Sequence, residues 1–209
     1  MHLGILGGTF NPPHLGHLAV ATRARSQLGL EQVLLMPSHT PPHKLPQHDP
    51  GPEHRLRMCQ LAVEGHAGLK AGAQEVDRGG PSYTVDTLKA LHASPFPGSN
   101  RPAPRLTLIL GSDMARTLPG WRGPERIVAL ADIAVAERPG EGREEVLAVL
   151  ESLGARAAFL EMPPIDVSSS MVRERVARGE SVRELVAPAV AAYIAEHELY
   201  RRPSGVSAP

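Results

Sequence analysis

Short, nearly uninterrupted apolar runs recur at Leu3–Gly7, Gln32–Met36, Arg105–Leu110, Asp132–Ala136 and Arg156–Leu160, with stretches of helical spacing between them. A strand that is apolar at successive rather than alternate positions must be covered on both faces. The intervening helices supply that cover, because parallel neighbours need a crossover connection of about a dozen residues or more. The pattern predicts one α/β domain, doubly wound and Rossmann-like, with a parallel sheet and helices at its C-terminal end.

Helical spacing covers His14 to Leu28, Glu53 to Glu64, Thr84 to His92 and Glu144 to Leu153. From Ser168 the pattern is helical to the end, with Pro188 opening the last helix where its missing N–H costs nothing. Leu69 to Val76 reads as extended and Gly111-Ser112-Asp113 as a turn. Ser38 to Pro52, rich in Pro and His, and Ala93 to Pro104, with four prolines, read as loops.

The 209 residues fit a single domain, placed at 1–202, with 203–209 expected to be a disordered tail. Twenty-two basic residues balance 22 acidic ones, so no overall field favours a nucleic acid or an anionic membrane as partner. The apolar runs are too short to span a bilayer and no secretory signal opens the chain, so a cytoplasmic protein is expected. The single cysteine, Cys59, rules out an internal disulfide and any multi-cysteine zinc site. Nothing in the composition fixes an oligomeric state.

Gly7-Gly8-Thr9-Phe10-Asn11-Pro12-Pro13-His14-Leu15-Gly16-His17 joins the first strand to the first helix, the place where open α/β sheets bind ligands. Paired glycines allow close backbone approach, and a helix start offers free N–H groups to an anion, so the segment reads as a phosphate cradle. Neither a P-loop nor a dinucleotide fingerprint is present. His14 and His17 share one face of the first turn; their spacing by itself also fits a surface pair or a metal site. Val167-Ser168-Ser169-Ser170-Met171-Val172-Arg173 begins a later helix. Its serines are either caps or, with Arg173, a second phosphate site.

The two segments together resemble the paired signatures of the nucleotidyltransferase superfamily. Within it the chain is similar to the bacterial nicotinate mononucleotide adenylyltransferases. The narrower resemblance rests on Pro41-Pro42-His43-Lys44, Gly80 to Leu88, Gly111-Ser112-Asp113, Trp121, Arg138-Pro139-Gly140 and the ending Tyr193-Ile194 to Leu199-Tyr200. It implies transfer of AMP from ATP to nicotinate mononucleotide, forming deamido-NAD and pyrophosphate in NAD biosynthesis. His14, His17, Lys44 and Arg173 would then be the catalytic groups, with His17 nearest the α-phosphate. Gly7, Gly8, Thr9, Phe10, Gly111, Asp113, Ser168, Ser169 and Ser170 would bind ATP. Thr84, Tyr83 and Trp121 would receive the nicotinate group and Arg138 the mononucleotide phosphate, and Mg²⁺ would arrive with ATP. The chain departs from the family pattern at Asn11, where Asp is common, at Ser170, where Thr is common, and at Arg122, where an aromatic side chain usually follows the tryptophan. A sister transferase acting on another phosphate is the nearest rival, and a nucleotide-binding regulator without turnover is a rival of another class.

Overall fold

The computed structural model describes residues 1–42, 48–93, 103–137, 142–163 and 165–201. The first half of the chain runs β1 (His2–Gly8), α1 (Leu15–Gln27), β2 (Gln32–Pro37), α2 (Pro52–Val63), β3 (Leu69–Ala71), α3 (Gln74–Arg78) and α4 (Thr84–Ala93). The second runs β4 (Arg105–Gly111), α5 (Ser112–Thr117), a 3₁₀ turn (Leu118–Gly120), α6 (Pro124–Leu130), β5 (Ala131–Ala136), α7 (Arg143–Ser152), β6 (Ala157–Leu160), α8 (Ser169–Ala177) and α9 (Pro188–Glu196). Among the described residues the strands form one six-stranded sheet in the order β3-β2-β1-β4-β5-β6. Every pairing in it is parallel. The order reverses direction between β1 and β4, which opens a crevice at their carboxyl ends.

Side-chain alternation along the strands sorts the interior into two cores. Leu6, Val33, Leu35, Ile109 and Ala134 point to one face and pack against α1, α2, α8 and α9 through Leu18, Met58, Val172 and Ile194. Leu3, Ile5, Met36, Leu108 and Ile133 point to the other and pack against α4 to α7 through Leu88, Ala115, Ile127 and Leu150. Gly4 is required where it stands: a Cβ there would lie 2.8 Å from Leu30 Cδ1 and 3.0 Å from Ile109 Cδ1.

Three segments differ from the sequence reading. The extended segment expected over Leu69 to Val76 stops at Ala71 and gives way to α3 from Gln74, with Gly72 packed so closely on Met36 that a Cβ there would lie 2.5 Å from its Cε. Residues 112–130, where only Gly111-Ser112-Asp113 was read, as a turn, hold α5 and α6; a left-handed Gly123 and Pro124 in the first turn open α6. The third lies before the last helix: Pro188 opens α9 as expected, but Gly179 at φ +73° ends α8 and residues 178–187 are not helical. The tail expected at 203–209 lies outside the described residues. No helix among the described residues is long and apolar enough to cross a membrane.

Candidate active site

After Gly8 the backbone turns sharply at Phe10, whose φ is +51° and whose ring is buried. A Cβ on Gly8 would press on that ring at 3.2 Å. Phe10 in turn meets His17 edge-on, with ring centres 4.8 Å apart. His14 is the N-cap of α1, and its backbone N–H donates to His17 Nδ1 at 3.1 Å. A neutral His17 with Nδ1 accepting carries its proton on Nε2, which makes Nε2–H the donor available to a ligand. The two imidazoles are stacked 3.7 Å apart. Burial, then the neighbouring His14, hold the His17 pKa well below the ordinary histidine value. Gly16 is the residue that permits the stack: a Cβ there would lie 3.0 Å from His14 Nδ1 and 3.1 Å from Val167.

The second motif folds directly onto this loop. Ser168 caps α8 by accepting from the Met171 N–H at 3.2 Å, so the cap reading of this serine is the one realised. Ser169 Oγ donates to the Pro12 carbonyl at 2.8 Å. Arg173 donates from Nη1 to the Asn11 carbonyl at 2.7 Å and from Nη2 to Ser170 Oγ at 3.1 Å. Tyr200 adds a bond from its hydroxyl to Asn11 Oδ1 at 2.8 Å.

A cavity of about 530 Å³ opens at the carboxyl ends of β1, β4 and β5. Gly7, His14, His17 and Gly111 line one side, and Met162, Ile165, Val167 and Ser168 the other. The apolar wall from Met162 to Val167 was not anticipated; its only sequence signal is the apolar side chains interleaved with Pro163 and Pro164. Glu137 and Asp166 also reach this cavity. Asp113 stands elsewhere: its side chain is 80% exposed and pairs with Arg116 at 3.2 Å. Thr9, Ser169 and Ser170 contribute to the loop contacts rather than to the cavity wall among the described residues. Lys44 and Arg138 lie outside the described residues.

A second group assembles on the opposite face of the sheet. Tyr83 and Thr84 open α4, and Tyr83 and Trp121 pack half-buried on the same core. The Trp121 indole N–H donates to Thr117 Oγ1 at 3.0 Å. This corner is tied to the end of β2, because the His39 N–H donates to Ser82 Oγ at 2.9 Å and Thr40 bridges Pro81. Beneath it Thr87 donates to a buried Glu75 at 2.6 Å. Burial pushes the Glu75 carboxyl up despite hydrogen bonds from Thr87 and Ser82 and the charge of Arg78.

Arg55 was missed as a site residue. It is fully buried and donates to the carbonyls of Thr9 at 3.0 Å, Ser38 at 2.5 Å and His39 at 2.9 Å, and to Asp49 Oδ1 at 2.8 Å. One guanidinium thereby ties together the loops that leave β1 and β2. A signal existed in the sequence, since Arg55 occupies the same helical stripe as buried Met58, Cys59 and Ala62.

Comparison with known proteins agrees with this arrangement. A family model described as cytidylyltransferase-like matches residues 5–175. The probable nicotinate-nucleotide adenylyltransferase of Roseiflexus sp. (strain RS-1) is 42% identical over 201 residues, 95% of this chain and 98% of its own length. A protein of the same name from Bordetella pertussis is 41% identical over 202 residues, again 95% of this chain and 98% of that one. Nicotinic acid mononucleotide adenylyltransferase of Plasmodium falciparum, solved with NaAD, superposes with a TM-score of 0.74 at 18% identity, over 95% of this chain and 97% of its own; at that identity the likeness is one of fold. With paired glycines, stacked histidines and a serine-arginine helix start meeting at the sheet's switch point, the chain belongs to the cytidylyltransferase-like family and, within it, to the nicotinate-nucleotide adenylyltransferases.

Proposed function

We propose that the protein transfers AMP from ATP to the phosphate of nicotinate mononucleotide, releasing deamido-NAD and pyrophosphate. The observation that carries this reading is the junction of the two motifs, with Arg173 and Ser169 bonded to the Asn11 and Pro12 carbonyls beside the stacked His14 and His17. Family membership supplies the acceptor.

In this reaction an acceptor phosphate oxygen attacks the α-phosphorus of ATP in line. The new P–O bond forms as the bond to the β-phosphate bridging oxygen breaks, and pyrophosphate carries away the electron pair. No covalent enzyme intermediate is needed, so the protein's work is placement and neutralisation of growing negative charge. His17 Nε2–H donates to an α-phosphate oxygen, and His14 and the N–H groups that open α1 take the neighbouring oxygens. Lys44 and Arg173 add positive charge to the departing pyrophosphate. Gly7, Gly8 and Phe10 shape the loop, and the apolar wall from Met162 to Val167 takes the adenine. Mg²⁺ enters as part of the MgATP substrate, and the cytoplasm, where ATP is abundant, is the proposed site of the reaction.

The acceptor ring lies at Tyr83, Thr84 and Trp121, with Arg138 on its phosphate. Donors at the start of α4 suit a carboxylate and leave an amide NH₂ without an acceptor. A preference for nicotinate over nicotinamide mononucleotide of at least ~10²-fold in kcat/KM follows.

The test is pyrophosphate release from ATP with nicotinate mononucleotide, nicotinamide mononucleotide or phosphopantetheine as acceptor. Rapid release with the first, matched mole for mole by dinucleotide, is the expected result. Faster turnover of another acceptor would favour the sister-transferase reading, and nucleotide binding without release would favour a regulator.

A further inference from the structure

Arg122 stands where an aromatic side chain was expected, and its guanidinium lies 4.6 Å above the centre of the Tyr83 ring. Its Nη1 is 3.8 Å from Oδ2 of Asp86, and the other carboxylate oxygen of Asp86 is 3.9 Å from Lys89 Nζ. Asp86 belongs to the first turn of α4, two residues beyond Thr84. A carboxylate there suits the helix, whose N-terminus is partially positive. It does not suit a second anion arriving at the same helix start, because like charges within a turn repel.

We propose that Arg122 is a specificity-determining residue that neutralises Asp86, so that the start of α4 accepts a carboxylate-bearing pyridine ring in preference to its neutral amide. The inference rests on the reading of Tyr83, Thr84 and Trp121 as the acceptor half of the site. Stacking on Tyr83 restricts the guanidinium to one side of Asp86 and limits the entropy lost in holding the pair. Arg122 thus replaces the expected aromatic with a residue that covers the ring and also cancels the one acidic side chain in the first turn of α4.

The experiment measures kcat/KM for nicotinate and nicotinamide mononucleotide, at saturating ATP, in wild type, Arg122→Gln, Arg122→Lys, Asp86→Asn and the Arg122→Gln/Asp86→Asn double variant. Gln removes the charge at a largely exposed position, so folding is not the variable. The acid-to-amide ratio should fall roughly five- to tenfold in Arg122→Gln, as expected when Lys89 alone is left to offset Asp86 in a partly solvated site. It should stay within about twofold of wild type in Arg122→Lys and return toward wild type in the double variant. A ratio unmoved by Arg122→Gln, or a loss that persists in the double variant, overturns the inference while leaving the proposed reaction in place. A wild type that cannot use nicotinate mononucleotide overturns both.

Discussion

Tyr200 donates its hydroxyl hydrogen to Oδ1 of Asn11, 2.8 Å away and 189 positions earlier in the chain. The last turn of the described chain thus fixes the loop between β1 and α1, whose backbone also receives Arg173 and Ser169. Burial raises the Tyr200 pKa far above that of a free phenol, so the hydroxyl keeps its proton and remains a donor at any working pH. Tyr200→Phe leaves a buried acceptor without this donor. The expected cost is about 1–3 kcal/mol in urea unfolding. Turnover should fall several-fold as the loop loosens, and a variant with wild-type kinetics and stability would show that the bond orders nothing.

His17→Ala should reduce turnover by about 10²-fold or more, the usual cost of one lost transition-state donor, with the fold kept. Single-turnover rates with saturating ATP are the measurement, and a rate near wild type would remove His17 from the chemistry.

The same residue sets a pH dependence. Its folded-state pKa lies well below the unfolded value, by burial first and His14 second. The unfolded chain therefore binds the extra proton, so the contribution of His17 to stability is fully present above the ordinary histidine pKa and is lost as pH falls through the folded value. Midpoints of chemical unfolding taken from pH 7.5 downward should decline less steeply in His17→Gln than in wild type. Parallel curves would mean that the imidazole is not desolvated.

Arg55→Met should destabilise by about 3–5 kcal/mol, since it strips buried carbonyls and Asp49 of their shared donor. Arg55→Lys keeps the charge but cannot reach all these acceptors from one ammonium and should fall in between. Equilibrium unfolding orders the three proteins, and an Arg55→Met variant as stable as wild type would refute the clamp.

Lys44→Ala should lower kcat more than it weakens ATP binding to the free enzyme, as expected of a group engaged mainly in the reacting complex. Isothermal titration beside steady-state kinetics separates the two. Equal activity would make Lys44 a solvated loop residue.

What could be read in advance was whatever local pattern controls. The parallel sheet followed from five runs that are mostly apolar at successive positions, and the strand-loop-helix path from Gly7 to His17 followed from a turn and a helix start within eleven residues. What local pattern could not supply was long-range partnership. Arg173 was read as a phosphate partner, and its bonds to Asn11 and Ser170 could not be foreseen because they are set by how α8 docks against the loop after β1. Asp113 was read from the strand end and glycine before it, while its partner Arg116 becomes visible only once α5 is known to be a helix that brings the two together. The short α5 and α6 escaped because Pro119, Gly120, Gly123 and Pro124 punctuate residues 112–130 so densely that no helical period develops.

The two cores carry a further meaning. The loop with His14 and His17, its α8 brace and its Tyr200 latch all rest on the α1, α2, α8 and α9 layer, whereas Tyr83 and Trp121 rest on the α4 to α7 layer. A sheet lies between them, and side chains buried on one side of it do not pack against those on the other. The half proposed to hold the nucleotide and the half proposed to choose the acceptor thus have separate cores and meet through loops, where Arg55 joins Thr9 to His39 and His39 joins Ser82. A substitution confined to the packing of one layer is therefore felt in the other only through those loop bonds, which makes the Arg55 guanidinium the joint between the two halves.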